Sequence, residues 1–393
     1  MFTDRDLSRL QPLIAQTELD GWLLFDFRGR NPVAAAVLGT EIVGTRRVFV
    51  LIPRTGKPVA LVHAIDNELW RHWPTAWTKH VWVAREELTK LLHDLVGGRR
   101  LAVEYSPGGA IPYLDGVPAG VFESFKTAGA TALVSSVDLV TRFCSVWTPT
   151  ETAAHCRAAE KISRIGREAI ALAGQHARSA QPWSEFQIGQ WIKAQFVAEG
   201  LVTIGNPSVS YGANAARNHY DPNADEAALI VPGKMLLVDL WAREPDGIFA
   251  DQTWMASIGE PSARDEKIWR TVQIGRDAAL DLLHARVRAG QPVTGAEADH
   301  AARAVTQAAG YGHCIEARTG HSIDRFGLHG FGPPVDGTET YDTRVVIPGV
   351  GFSVEPGIYL KGDAGVRTEV NVFVREDDIV VTPSEYQHDL IIV

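Results

Sequence analysis

Four carboxylates in the C-terminal half interrupt runs that read as β-strands. Asp239 ends Met235-Leu-Leu-Val-Asp239, Asp251 lies in Ile248-Phe-Ala-Asp251-Gln-Thr253, Glu355 ends Phe352-Ser-Val-Glu355, and Glu369 sits in Val366-Arg-Thr-Glu369-Val-Asn-Val-Phe. A carboxylate ending an apolar run is costly to bury alone, so it must be paired or bound to a metal ion. His321 adds one imidazole. The three cysteines, Cys144, Cys156 and Cys314, are too scattered for a disulfide framework or a thiolate zinc site and read as buried apolar side chains.

Residues two apart on a strand share a face, so Leu237, Asp239 and Trp241 point one way, as do Phe249, Asp251 and Thr253. Asp246-Gly247, lengthened by Pro245, reads as a hairpin turn that brings Asp239 and Asp251 side by side. Two adjacent carboxylates repel unless they share a proton or cation. Glu355 and Glu369 repeat the arrangement, with turns at Pro356-Gly357 and Gly362-Asp363. Four carboxylates and one imidazole can hold two cations ~3.5 to 4 Å apart. Oxygen-rich ligation without thiolate suits manganese, with cobalt or zinc also able to bind. Asp246, Asp324, Asp336 and Glu244 sit in turn-like surroundings and are expected to be solvated.

At 393 residues and 45% hydrophobic content the chain has enough apolar material for two domains. A net charge of −9 without a dense Lys/Arg run argues against a nucleic-acid or anionic-membrane partner and favours a small-molecule or peptide ligand. The charged opening and the lack of ~18 consecutive apolar residues predict a cytoplasmic protein. Residues 1–147 read as a small α/β domain, with strands at Gly21-Trp-Leu-Leu-Phe-Asp, Arg47-Val-Phe-Val-Leu-Ile and Val59-Ala-Leu-Val-His63. Its helices are expected at 10–19, 86–95 and 121–128. Thr148, Pro149 and Glu151 then form a helix start, with the helix running to about Ala173. In 148–393, helices at 183–199, 263–289 and 295–309 alternate with the acid-bearing strands. Trp70, Trp73, Trp77 and Trp82 read as packing or dimer contacts, and His63, His72, His80 and His176 as structural.

Asn206-Pro207-Ser208 through His219-Tyr220, Val238-Asp239-Leu240, Asp251-Gln-Thr253, Gly320-His321, Val354-Glu355-Pro-Gly-Ile-Tyr359 and Gly365-Val-Arg-Thr-Glu369 occur in order. Together they resemble the M24 "pita-bread" metallopeptidases: prolidases, Xaa-Pro aminopeptidases and methionine aminopeptidases. The resemblance covers about residues 150 to 393, and the region before it is similar to the creatinase-type N-terminal domain of prolidases and Xaa-Pro aminopeptidases. It implies an α/β (α+β) architecture of two domains, and two metal ions held by Asp239, Asp251, His321, Glu355 and Glu369. It also implies Glu355 as the proton shuttle, with His219 and His329 as non-ligand histidines that donate hydrogen bonds to the developing oxyanion or a substrate carboxylate. Arg367 shares a strand face with Glu369 and either orients that carboxylate or holds a substrate carboxylate. Tyr359 and His313 are further candidates for substrate contact.

The chain departs from the family pattern in several places. Trp241 replaces a glycine and can wall the pocket, and Trp254 stands where an arginine is usual. One extra residue separates the two aspartates and another separates His321 from His329, and Gly330 replaces an acid. The expected activity is hydrolysis of the bond before proline in a dipeptide, with a bridging hydroxide as nucleophile. A closely related expectation is an Xaa-Pro aminopeptidase acting on longer peptides; a metal-free enzyme of the same fold and a non-catalytic binding module are further alternatives. A small peptide with proline second is the implied substrate, and a homodimer the implied assembly.

Overall fold

The computed structural model of the chain describes residues 1–39, 43–217 and 220–393. Backbone contacts divide it into two units, Met1–Cys144 and Ser145–Val393, whereas the sequence pattern sets the division at 147/148. The intervening residues bond within the second unit: the Trp147 amide donates to the Gly349 carbonyl at 2.7 Å and its indole to the Ile323 carbonyl at 2.9 Å.

In the first unit, β1 (Gly21–Asp26), β2 (Val48–Pro53), β3 (Val59–His63), β4 (Thr78–Trp82), β5 (Arg100–Val103) and β6 (Ala132–Ser135) form one sheet in the order β4-β3-β2-β1-β5-β6. Strand β1 pairs antiparallel to β2 and parallel to β5 and is buried at every position, so its apolar run does not alternate. Helices α1 (Asp4–Ala15), α2 (Pro32–Leu38), α3 (Arg85–Val96), α4 (Ala119–Thr127) and α5 (Val137–Val140) complete this unit. Leu88, Leu92 and Phe125 pack with Leu23, Phe25, Phe49 and Leu51 of the sheet. Trp70, Trp73, Trp77 and Trp82 are all buried, with Trp73 ring contacts at 5.1 Å to Trp70 and 4.9 Å to Trp77. They pack the core.

The second unit has two helix-covered sheets. Helices α6 (Pro149–Ala177) and α7 (Glu185–Ala198) pack on β7 (Ser208–Tyr211), β8 (Lys234–Ala242) and β9 (Ala250–Ile258). Helices α8 (Ala263–Arg288) and α9 (Gly295–Ala308) pack against a sheet of β10 (Ser322–Ile323), β11 (Gly351–Val354), β14 (Val370–Val374) and β15 (Ile379–Thr382). Strands β12 (Gly357–Leu360) and β13 (Ala364–Arg367) form a hairpin, and β16 (Ile391–Ile392) joins the edge of β9. Each of these four helices starts with a reciprocal capping box: Thr148/Glu151, Ser184/Gln187, Ser262/Asp265 and Thr294/Glu297. Such caps stabilise a helix by ~1 kcal/mol each and fix where it begins. The sheets meet where the Asp251 amide donates to Asn371 Oδ1 at 2.8 Å and the Glu369 amide to the Thr253 carbonyl at 3.3 Å.

Candidate metal centre

The antiparallel β8–β9 register sets Asp239 opposite Thr253 and Trp241 opposite Asp251. The two aspartates therefore lie on one face but on a diagonal, not side by side, because the turn between the strands centres the pairing one position away from direct Asp–Asp opposition. Trp241 shares that face, and its indole donates to the Ile204 carbonyl at 2.6 Å while its ring joins Ile248, Phe249, Ile323 and Leu328 in an apolar wall. Trp254 falls on the opposite face by the same alternation. It is buried, bonds Gln252 Oε1 at 3.0 Å and packs with α6, so its substitution for arginine leaves the acidic face untouched.

Glu355 and Glu369 come from the other sheet. Val354 pairs with Val370 in β11–β14 and Gly357 with Arg367 in β12–β13, one continuous register interrupted around Pro356 and Thr368. Glu355 and Glu369 occupy the interruption, facing Asp251 rather than continuing a ladder. His321 precedes β10, and its amide donates to Ser353 Oγ at 3.0 Å. Its Nδ1 lies 3.2 Å from the Ser322 carbonyl, which leaves Nε2 at 3.3 Å from Asp251 Oδ2 and 3.4 Å from Glu355 Oε1.

Arg367 and Thr253 tie the acids together. The Arg367 guanidinium donates to Asp239 and, at 2.9 Å, to Thr253 Oγ1, and lies 3.8 Å from Glu355 Oε2. Thr253 passes the chain on, its hydroxyl donating to Glu369 Oε2 at 2.8 Å. Ser353 Oγ donates to Glu355 Oε1 at 3.0 Å. One guanidinium cannot neutralise four carboxylates. Burial, with the Asp251 and Glu355 charges, pushes the Asp239 carboxyl up to about 7 against the pull of Arg367. Burial also raises Asp251, and lifts Glu369 well above the carboxylate range with help from Asp251, Glu355 and Asp239. It opposes charging of His321, but the Asp251 bond and the Glu355 charge outweigh it and raise the imidazole.

Asp251 Oδ1 and Glu369 Oε1 are buried and have no hydrogen-bond partner among the described residues. Leaving such atoms unmet costs ~1–3 kcal/mol each, more for charged groups, so they mark acceptors for something the described residues do not supply. Asp251, His321 and Glu369 offer ligand atoms that all lie within 4.8 Å of one another. That donor set, two carboxylates and one imidazole with oxygen lone pairs to spare, fits a divalent cation.

His329 is exposed, and its ring meets that of His321 edge-on, with centroids 4.3 Å apart. Tyr359 is buried beside Arg367, and burial raises its phenol above the ordinary value. His219 lies outside the described residues. His313 is exposed on a short turn among residues 312–314. Two acids expected in solvent are instead buried: Asp324 is 1% and Asp336 0% exposed. Asp336 accepts the amides of Thr338, Glu339 and Thr340. Turn-like sequence marks a carboxylate that caps backbone donors as well as one that faces water. Asp246 is exposed, and Glu244 pairs with Arg157 at 2.6 Å. Glu185 escapes sequence reasoning altogether. Fully buried at the start of α7, it accepts the Tyr211 and Ala228 amides at 2.6 and 2.8 Å and the Tyr220 hydroxyl at 2.6 Å, anchoring residues on both sides of 218–219.

Residues 154–376, more than half of the chain, match the sequence profile of Metallopeptidase family M24. The chain belongs to this family. This M24 chain is 29% identical over 318 residues to the "Probable dipeptidase PepE" of Mycobacterium tuberculosis, covering 79% of this chain and 76% of that protein. It is 32% identical over 207 residues to an Xaa-Pro dipeptidase of Lactobacillus helveticus, covering 52% of this chain and 50% of that one. Dipeptidase PepE from Mycobacterium ulcerans superposes with a TM-score of 0.76 at 22% identity, covering 99% of this chain and 97% of that chain. Recombinant prolidase from Thermococcus sibiricus superposes at 0.70 with 20% identity, covering all of both chains. The M24 chain has the mixed α/β pita-bread fold of these structures, and as a member of this family it is a peptidase that uses divalent metal.

Proposed function

We propose that this M24 peptidase is an Xaa-Pro dipeptidase. The observation that carries the reading is the pair of buried oxygens, Asp251 Oδ1 and Glu369 Oε1, that no described residue meets, facing the imidazole of His321. The names of the dipeptidase relatives support a dipeptide substrate.

Asp239, Asp251, His321, Glu355 and Glu369 hold two divalent cations, manganese first and cobalt or zinc as substitutes. When bound, the cations supply a Lewis acid for the substrate carbonyl and lower the pKa of water to near neutrality. Glu355, within 3.4 Å of His321 Nε2 and braced by Ser353, receives the proton and passes it to the leaving proline nitrogen. An amine anion is too basic to be expelled, so this delivery to nitrogen is required before proline can leave. His329, with His219, donates hydrogen bonds to the oxyanion or the dipeptide carboxylate. Arg367 holds Asp239 and Thr253 in place, and Trp241, on the face of the two aspartates, and Tyr359, beside Arg367, contact the substrate.

Residues 1–147 form a creatinase-like domain and 148–393 the catalytic domain of a cytoplasmic homodimer. Among the described residues no helix is long and apolar enough to cross a membrane. The test is hydrolysis of Met-Pro, Leu-Pro, Leu-Leu and Leu-Pro-Gly by metal-stripped protein with and without manganese. Cleavage of the two proline dipeptides alone, and only with manganese, is expected. Rapid cleavage of Leu-Pro-Gly moves the assignment to an Xaa-Pro aminopeptidase, and inertness of a metal-loaded sample refutes both.

A further inference from the structure

The segment between His321 and His329 closes around one side chain. The Asp324 carboxylate, 1% exposed, accepts the Phe326 amide at 2.9 Å through Oδ1 and the Phe331 amide at 2.7 Å through Oδ2. The Ser145 hydroxyl donates to Oδ2 from behind at 3.0 Å. These bonds span the chord of the loop that carries His329. The Asp324 amide bonds the Gly327 carbonyl at 3.2 Å, and the Gly330 amide bonds the Ser322 carbonyl at 2.7 Å. Beyond the loop, the Arg344 guanidinium grips the Phe331 and Gly332 carbonyls at 2.6 and 2.9 Å. A Cβ at residue 330 would fall 2.7 Å from Asp324 Oδ2 and 2.9 Å from its amide nitrogen, so only glycine lets the carboxylate sit there. The extra residue between the two histidines and the glycine after His329 therefore belong to a single turn built on Asp324.

We propose that Asp324 is a positioning residue: its carboxylate ties both ends of the His329 loop and thereby sets the edge-on packing of His329 against His321, as the peptidase reading above requires. Asp324 touches neither imidazole. It acts through the backbone on each side of His329, and charge-assisted bonds from two amides and a hydroxyl make that restraint stiff.

A double-mutant cycle on the full-length, manganese-loaded protein tests this, with Leu-Pro as substrate. Asp324→Asn keeps the shape but replaces one acceptor oxygen with a donor, and is expected to lower kcat by about 10- to 100-fold with little change in KM or manganese content. His329→Ala lowers it at least as far, and the double variant is expected to be no slower than His329→Ala alone. Independent residues would instead multiply their losses. A double variant slowed by the product of the single effects overturns the proposal, and so does an Asp324→Asn enzyme of unchanged kcat. Ser145→Ala removes one donor while leaving the carboxylate, and is expected to give a smaller loss with the same non-additivity should Asp324→Asn fail to fold.

A second readout needs no activity. In metal-free protein labelled at histidine, an NOE between the rings of His321 and His329 is expected in the unmodified chain and lost in Asp324→Asn. An unchanged NOE overturns the positioning role. Unmodified, metal-loaded protein that cleaves no dipeptide refutes the peptidase reading instead, and the NOE still decides the geometry.

Discussion

Glu104 and His155 show how single buried groups bias stability in opposite directions as pH changes. Glu104 is fully buried in the first unit and accepts the Trp22 indole at 2.5 Å, Asn31 Nδ2 at 2.8 Å and the Ser136 hydroxyl at 3.2 Å. Burial outweighs those neutral donors and raises its carboxyl to about 7. Its folded form thus holds the proton more tightly than the unfolded chain, so stability falls as pH rises from about 4.5 to 7, by on the order of 3 kcal/mol. His155, buried in the second unit between the Phe249 carbonyl and the Thr382 hydroxyl, is pushed down to about 4. There stability falls as pH drops from about 6.5 to 4, because the unfolded chain takes up the proton first. Hydrogen exchange should show residues 1–144 less protected at pH 8 than at pH 5, and a His155→Gln variant should lose less of the protection of 145–393 between pH 6.5 and pH 4 than the unmodified chain does. Protection of 1–144 that does not fall with rising pH, or an unchanged acid loss in the variant, would contradict these assignments. None of this was legible in sequence, since Glu104 follows an ordinary strand and its partners Trp22 and Asn31 lie far upstream. Asp239, Asp251, Glu355 and Glu369 were legible because each breaks an apolar run.

Element boundaries track how strongly the ends are marked. Thr148, Pro149 and Glu151 place the start of α6 without ambiguity, but α1 begins at Asp4, six residues before the expected Leu10, because Thr3 caps a polar first turn that carries no apolar period. Likewise α6 runs on to Ala177 through Gly174, which reads as a stop but instead packs against Val393, where a Cβ would meet that side chain at 2.4 Å. Strand register is harder to read: the diagonal of Asp239 and Asp251 depends on how the 243–249 turn closes, and the pairing of β11 with β14 skips a whole hairpin. The segment bearing His321 is wedged against β11. A Cβ on Gly320 would lie 1.9 Å from the Ser353 carbonyl oxygen, while the Ser353 and Glu355 amides bond the His321 and Thr319 carbonyls at 2.8 and 2.6 Å. Gly320→Ala must therefore part these backbones. We expect the variant to retain its circular dichroism but lose at least about 3 kcal/mol of stability and most of its manganese uptake, measured by urea unfolding and elemental analysis. Normal metal content would show that the segment tolerates the shift.

At the scale of the molecule, family membership and the two-part division follow from motif order and composition, while the path that joins them does not. Manganese at a hundredfold excess over its Kd should stabilise the second unit by about 2.7 kcal/mol, raising its melting temperature by roughly 5–10 °C. Scanning calorimetry with and without a chelator checks this, and the Asp251→Asn variant should lose most of the increment. The acids and imidazole at its centre come from segments between residues 239 and 369, and no local turn brings β9 to Glu369. A refolding chain must close those long loops before an ion finds its ligands, so the cost of closure falls early and the gain from the ion late. Bound ions then act as a latch on the folded state. They lengthen its lifetime against escape and leave the speed of its formation almost unchanged.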